Sequence, residues 1–329
     1  MKNIRLAVPV CMRVIVICSL LVIQGCPVGD PQSGQTIPRG YATDRKPDAG
    51  NTDIPYGPDA GQLLDVYPSA GEASGIAIVY VHGGGWVAGS KDVAQKSVVV
   101  QYLMDQGHVV FSINYTLGDY VTSPFPANLN DVKWAISWAN LQANKSAFGY
   151  SRVAVLGESA GAHLASLATV TDHAKPINMP ANRSVRPNAG IALGGPSNMV
   201  TFGAQGNLNQ QMMQRGGFFF GLNLVQCFFG AGYTHPDDVP ILTRMAATPD
   251  FFVDINDPPV YIASGTNDAL ALPEYNADLL EKRYIELGED TTAWAWNDRI
   301  EGGGHLTWHI VNIAGIDLYL QLLADGVFD

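Results

Sequence analysis

The stretch Gly157-Glu158-Ser159-Ala160-Gly161 constrains this chain more than any other. An apolar, β-branched run, Arg152-Val153-Ala154-Val155-Leu156, precedes it, and Ala162-His163-Leu164-Ala165-Ser166-Leu167-Ala168 follows. The first run reads as a buried strand and the second as a helix packed behind it. A G-x-S-x-G turn between two such elements has a steric purpose. The serine occupies a strained turn that lifts its hydroxyl above the sheet edge, and the glycines let strand and helix pass without Cβ clashes. Ser159 is the candidate nucleophile.

A second glycine run lies upstream. Gly75-Ile76-Ala77-Ile78-Val79-Tyr80-Val81 reads as a buried strand and enters His82-Gly83-Gly84-Gly85-Trp86 directly. Glycines at a strand's end free backbone N–H groups to converge on one point, which is what stabilises the oxyanion of acyl transfer. A loop of this type belongs ahead of the serine turn. Together the two motifs are far more specific than either alone.

The 329 residues suit one large domain, and 47% hydrophobic against 15% charged residues favours a sizeable core. Further strands are expected at Gln62–Tyr67, His108–Tyr115, Ala189–Gly195, Pro259–Gly265 and Thr291–Trp296, with helices at Phe125–Asn144 and Pro273–Leu287. Alternation of this kind implies a mostly parallel sheet with helices on both faces. Residues 196–250 break the rhythm with Phe202, Met212-Met213, Phe218-Phe219-Phe220 and Phe228-Phe229; this insertion forms either its own small core or a substrate-facing lid. Asp268 closes one predicted strand, placed to accept a hydrogen bond from an imidazole. Asp254, Asp257, Asp290 and Asp298 read instead as caps or turn residues. His305 lies on the loop Glu301-Gly302-Gly303-Gly304 ahead of the terminal helix. Of the other histidines, His163 reads as packed and His309 as structural, while His108, His173 and His235 show no evident partner. No histidine, cysteine and carboxylate spacing suits a metal, and neither metal nor cofactor is expected.

Residues 1–25 read as an export signal: Lys2, Arg5 and Arg13 precede an apolar run from Val14 to Ile23 that is too short to span a bilayer. Its end, Leu21-Val22-Ile23-Gln24-Gly25-Cys26, resembles a bacterial lipobox with Cys26 as the lipidated residue. Residues 26–53, poor in large apolar side chains, read as a flexible tether, and 54–329 as the catalytic domain. The chain is thus expected in the cell envelope, meeting a membrane only through its anchor. After signal removal Cys227 is the one cysteine besides Cys26, so no internal disulfide is expected beyond the anchor residue. A net charge of −11 without long like-charge runs argues against nucleic acid as a partner.

Leu64-Asp65-Val66-Tyr67, His82-Gly83-Gly84-Gly85-Trp86, Gly157-Glu158-Ser159-Ala160-Gly161-Ala162-His163-Leu164 and the segments around Asp268 and His305 resemble the hormone-sensitive-lipase-like and BD-FAE-type α/β-hydrolases. The likeness covers about residues 54–325, and Phe125–Leu167, with Pro126, Asp131 and Trp138, is its most specific part. It implies an α/β-hydrolase fold and a serine carboxylesterase acting on a small-molecule ester. Ser159, Asp268 and His305 fall in the chain order of that family's triad. The resemblance further implies an oxyanion hole from the N–H groups of Gly84, Gly85 and Ala160, with Trp86 and Glu158 as substrate-binding residues. The insertion and Ala269-Leu270-Ala271-Leu272 depart from the family pattern and leave the substrate open. An arylformamidase-like amide hydrolase and a non-catalytic anchored binding protein are the alternatives.

Overall fold

The computed structural model describes residues 47, 50–200, 202, 223–268, 270–287, 295–305 and 313–327. Its strands are β1 (Ile54–Pro55), β2 (Leu63–Tyr67), β3 (Ile76–Val81), β4 (Val109–Ile113), β5 (Arg152–Glu158), β6 (Ala189–Leu193), β7 (Val260–Gly265) and β8 (Ala295–Ile300). They form a sheet in the order β1-β2-β4-β3-β5-β6-β7-β8. β1 and β2 are antiparallel to their neighbours, and the pairings from β4 through β8 are parallel. The expected α/β-hydrolase architecture is the one observed.

The described helices are α1 (Val98–Asp105), α2 (Ala127–Ala139), α3 (Gln142–Phe148), α4 (Ala160–Val170), α5 (Leu224–Phe229), α6 (Ile241–Ala246), α7 (Ala277–Glu286) and α8 (Ile313–Ala324). Side chains alternate across each strand, so β3 and β5 feed two cores. Ala77, Val79, Val81, Val153 and Val155 pack beneath α2 and α4. Ile76, Ile78, Tyr80, Ala154 and Leu156 pack with α1 and α8 on the other face. The strand order explains this sorting. The chain steps from β3 to β4, then back past β3 to β5, and right-handed crossovers in opposite directions put α1 and α2 on opposite faces. The carboxyl ends of β3 and β5 flank that reversal, where open α/β sheets place their ligand crevice.

Three sequence expectations change. The single helix over Phe125–Asn144 is two helices, because Leu141 is extended (φ −64°, ψ 134°) and the Asn144 side chain donates to the Trp138 carbonyl. The last strand is Ala295–Ile300, and 291–294 lie outside the described residues. An edge strand tolerates polar residues that find partners. Asn297 Nδ2 donates to Asp278 and Glu281, and Tyr261 donates to Asp298, which is therefore a strand residue and no turn cap. Finally, Phe202, Phe228 and Phe229 of the insertion join the main core instead of making one of their own. Met212, Met213 and Phe218–Phe220 lie outside the described residues, as do Asp290 and His309.

One carboxyl ties the sheet to a helix. Glu158, the last residue of β5, accepts from Ser97 Oγ (3.4 Å), and Ser97 itself caps α1 by accepting from Val100 N (3.3 Å). The Tyr80 hydroxyl lies against the same carboxyl. Burial pushes Glu158 up to about 7, against the opposing effect of the neighbouring Tyr80 and Ser97 hydroxyls.

Two stability predictions follow from these contacts. A Cβ on Gly161 would overlap the carbonyl oxygens of Val81 and His82, whereas one on Gly61 would meet nothing. Urea unfolding should find Gly161→Ala destabilised by about 3 kcal/mol or more and Gly61→Ala within about 0.5 kcal/mol of the parent. Glu158 holds its proton in the fold between pH 4.5 and 7 while the unfolded chain does not, so its contribution to stability is fully present below pH 4.5 and is lost as pH rises through 7. Glu158→Gln, which mimics the protonated group, should therefore gain on the parent by about 1 kcal/mol at pH 8 relative to pH 5, read from melting temperatures at the two values.

Candidate active site

Ser159 stands between β5 and α4 with φ 54° and ψ −118°, a region that costs a non-glycine residue strain. Its surroundings hold it there. Ser159 N donates to the Leu193 carbonyl of β6 at 2.8 Å. A Cβ on Gly157 would overlap the Gly161 carbonyl, and one on Gly195 would run into Ala162 and the Ser159 carbonyl. Only glycine allows backbones this close, so the spacing read from the sequence is imposed by the packing.

Asp268 follows β7 and is completely buried. Its Oδ1 accepts from Leu270 N and Ala271 N, each at 2.9 Å. Both carboxylate oxygens also lie 2.9 Å from His305 Nδ1. His305 Nε2 in turn lies 2.8 Å from Ser159 Oγ. A carboxylate on Nδ1 assigns the proton to that nitrogen and leaves Nε2 as the acceptor for the serine hydroxyl. The loop bearing His305 is fixed at its root: Thr266 N donates to Ile300 O, Asn267 N to Gly303 O and Gly302 N to Thr266 Oγ1. A Cβ on Gly265 would overlap the Gly303 carbonyl, so this loop too depends on close backbone approach.

The glycine loop after β3 lies against the serine turn. A Cβ on Gly83 would come within 3.0 Å of the Glu158 carbonyl oxygen and 3.2 Å of Ser159 Cβ. Gly84 (φ 124°), Gly85 (φ 59°) and Trp86 (φ 63°) all adopt positive φ. Val87 N and Ala88 N turn back onto the Gly84 carbonyl, while the N–H groups of Gly84 and Gly85 have no backbone acceptor among the described residues. Ala160 N opens α4, where no preceding helical carbonyl reaches it. The three N–H groups that the family resemblance implies as oxyanion donors thus have no backbone acceptor among the described residues.

His82 and Tyr115 brace this loop. The Tyr115 hydroxyl donates to the His82 carbonyl (2.9 Å), the two rings stack 4.3 Å apart, and His82 Nδ1 donates to the Gly83 carbonyl (2.6 Å). Burial pushes His82 down to about 4, so the ring is neutral at pH 7. The sequence signals either residue only through an aromatic just past β4 and a histidine just past β3. His163 packs as expected, donating from Nε2 to the Ala247 carbonyl at 2.7 Å, with burial holding it at about 4. His108, expected to lack a partner, meets Ser74 Oγ at 2.7 Å, and His235 caps a short helical turn.

Trp86 requires correction. Expected along the substrate, it is only 2% exposed and is enclosed by His163, Phe202 and Phe228, with ring centroids 5.5, 6.0 and 4.8 Å away. The positive φ turns its backbone along the loop while its indole fills the core. Glu158, the other expected substrate residue, is engaged by Ser97 and Tyr80 as described above. No group of metal-ligating side chains occurs among the described residues, and none of the described helices is long and apolar enough to cross a membrane.

Comparison with known proteins adds the family. Esterase LipC of Mycobacterium tuberculosis is 41% identical over 120 residues, 35% of this chain and 28% of that protein. Kynurenine formamidase of Danio rerio is 32% identical over 124 residues, 36% of this chain and 39% of that protein. The chain thus spans well under half the length of these curated relatives. Among solved structures, a truncated carbohydrate esterase from gut microbiota shares the fold, with a TM-score of 0.58 at 20% identity over 89% of this chain and 97% of that one. The family model for BD-FAE matches residues 64–283, which takes in β2, the glycine loop, the serine turn and Asp268. The chain belongs to the BD-FAE family of α/β-hydrolases.

Proposed function

We propose that this protein is a serine carboxylic ester hydrolase working through an acyl-enzyme. The observation that carries the reading is the unbroken hydrogen-bond chain from Ser159 Oγ through His305 to the buried Asp268. In this mechanism Ser159 Oγ attacks the ester carbonyl carbon as its proton passes to His305 Nε2. The carbonyl π electrons move onto oxygen, and the N–H groups of Gly84, Gly85 and Ala160 receive that oxyanion. Collapse expels the alcohol, which takes the proton from Nε2, and Ser159 is left acylated. Water then attacks the acyl carbon, giving its proton to His305 Nε2, and collapse releases the acid as Ser159 Oγ takes that proton back. Asp268 keeps the imidazole in its working tautomer and offsets the imidazolium charge at each step. The esterase relative LipC supports the choice of an ester.

A second reading has one observation in its favour, the formamidase relative. The same residues would then cleave an aryl formamide, with the amine as leaving group. Matched ester and formamide substrates separate the two: a kcat/KM ratio favouring the amide would reverse the assignment.

Cys26 is proposed as a lipid anchor at the end of an exported tether, on the strength of the sequence before it. Cys26→Ser should lose acylation by mass and appear in the soluble fraction. A variant that stays with the membrane removes the anchor.

The central test is hydrolysis of p-nitrophenyl esters by residues 27–329. Ser159→Ala should lose activity by at least about 10⁴-fold, and Asp268→Asn by about 10⁴-fold with the fold retained. Unchanged turnover in Ser159→Ala would refute the mechanism.

A further inference from the structure

The ester reading fixes directions around Ser159. His305 must protonate the departing alcohol, so the alcohol leaves on the β7–β8 side, where Asp268 and His305 stand. The oxyanion points at the glycine loop and Ala160 N. The acyl chain is the remaining substituent of the carbonyl carbon, and it is left to run away from His305, over the loop that follows β3.

Leu224 packs against that loop and the core beneath it. It is the first residue of α5 and half-buried, and its Cδ2 lies 3.3 Å from where a Cβ on Gly85 would be. Gly85 is two residues beyond Gly83, which touches Ser159 in the same sense. The helix that carries Leu224 is firmly seated. The Asn223 side chain accepts from Gln226 N (3.1 Å) and donates to Thr234 O (2.8 Å). Gln226 Nε2 donates to Tyr120 O (3.2 Å) and Ser123 Oγ to Phe228 O (2.7 Å). Cys227 and Phe228 are fully buried behind it. A branched aliphatic side chain on a fixed backbone makes a wall that does not yield to a longer substrate.

We propose that Leu224 is the specificity-determining residue of this site, closing the acyl side of the cleft above Gly85 and setting the length of acyl chain accepted. The proposal rests on Ser159 acting as an ester-cleaving nucleophile. It requires only van der Waals contact, so its effect belongs in the discrimination between substrates that differ by methylene groups.

The experiment measures kcat/KM for p-nitrophenyl acetate, butyrate, hexanoate and octanoate with the parent, Leu224→Ala and Leu224→Trp, with Ser159→Ala as the blank. The octanoate-to-acetate ratio should rise about 10-fold in Leu224→Ala and fall about 10-fold in Leu224→Trp. Melting temperatures accompany each variant, and one that does not fold is replaced by Leu224→Val or Leu224→Phe, whose ratios must move in the same two directions. Folded variants of both kinds with the parent's ratio overturn the proposal while leaving the ester reading intact. A parent that cleaves no ester, or a Ser159→Ala protein as active as the parent, refutes the ester reading and this proposal with it.

Discussion

The site depends first on one backbone contact, the passage of Gly161 over the carbonyls of Val81 and His82. Helix α4 begins one residue after Ser159, and it can cross the end of β3 at that height only where no side chain intervenes. The crossing brings the serine turn and the glycine loop into register, and Gly83 then abuts Ser159 Cβ. A serine at φ 54° stores about 1–3 kcal/mol of strain. The packing of α4, whose residues are all buried, over-determines that conformation. Strain at Ser159 is thus maintained by the most completely enclosed of the described helices.

The same geometry explains why so much was legible in the sequence. Gly157, Gly161 and Gly83–Gly85 are required by backbone approach or positive φ, and a steric requirement leaves a residue-type signature. Asp268 and His305 were legible because each follows a predicted strand, and strands of a parallel sheet end at one edge. What was hidden has physical reasons too. Nothing in residues 125–144 marks the break at Leu141, because the signal is a side-chain amide competing for a helical carbonyl. The sequence pattern sets the last strand too early because Asn297, Asp298 and Arg299 read as loop. Their partners lie on β7 and α7, which no local pattern reveals. Trp86 reads from the sequence as lining the substrate because it follows a glycine run, but a large apolar ring beside a cleft has a second destination in the core.

Strand order settles how the motifs meet. β3 and β5 are adjacent in the sheet although 70 residues lie between the end of one and the start of the other, and the glycine loop and serine turn leave from the same end of each. β7 and β8 stand two and three places further along, which is why the imidazole approaches the serine from the side opposite the glycine loop. An oxyanion donor must address the carbonyl oxygen, whereas a proton acceptor must address the attacking and leaving oxygens on the far side of the carbonyl carbon. The sheet's twist and spacing supply that separation without any dedicated element.

Trp86, His163 and Phe228 show how the parts are kept in step. One comes from the glycine loop, one from the helix behind Ser159 and one from the insertion, and their rings meet edge to face or tilted within 5.5 Å of one another. His163 also reaches the Ala247 carbonyl, where the insertion rejoins the domain. Burial keeps that imidazole neutral, so the cluster packs as an apolar body and its geometry does not change with protonation near pH 7. Oxyanion donors are effective in proportion to how little they must reorganise when charge develops. A loop whose own tryptophan is wedged between the helix after Ser159 and the insertion is held against such reorganisation from both sides. The insertion is therefore structural to the glycine loop, whatever else it contributes to the cleft.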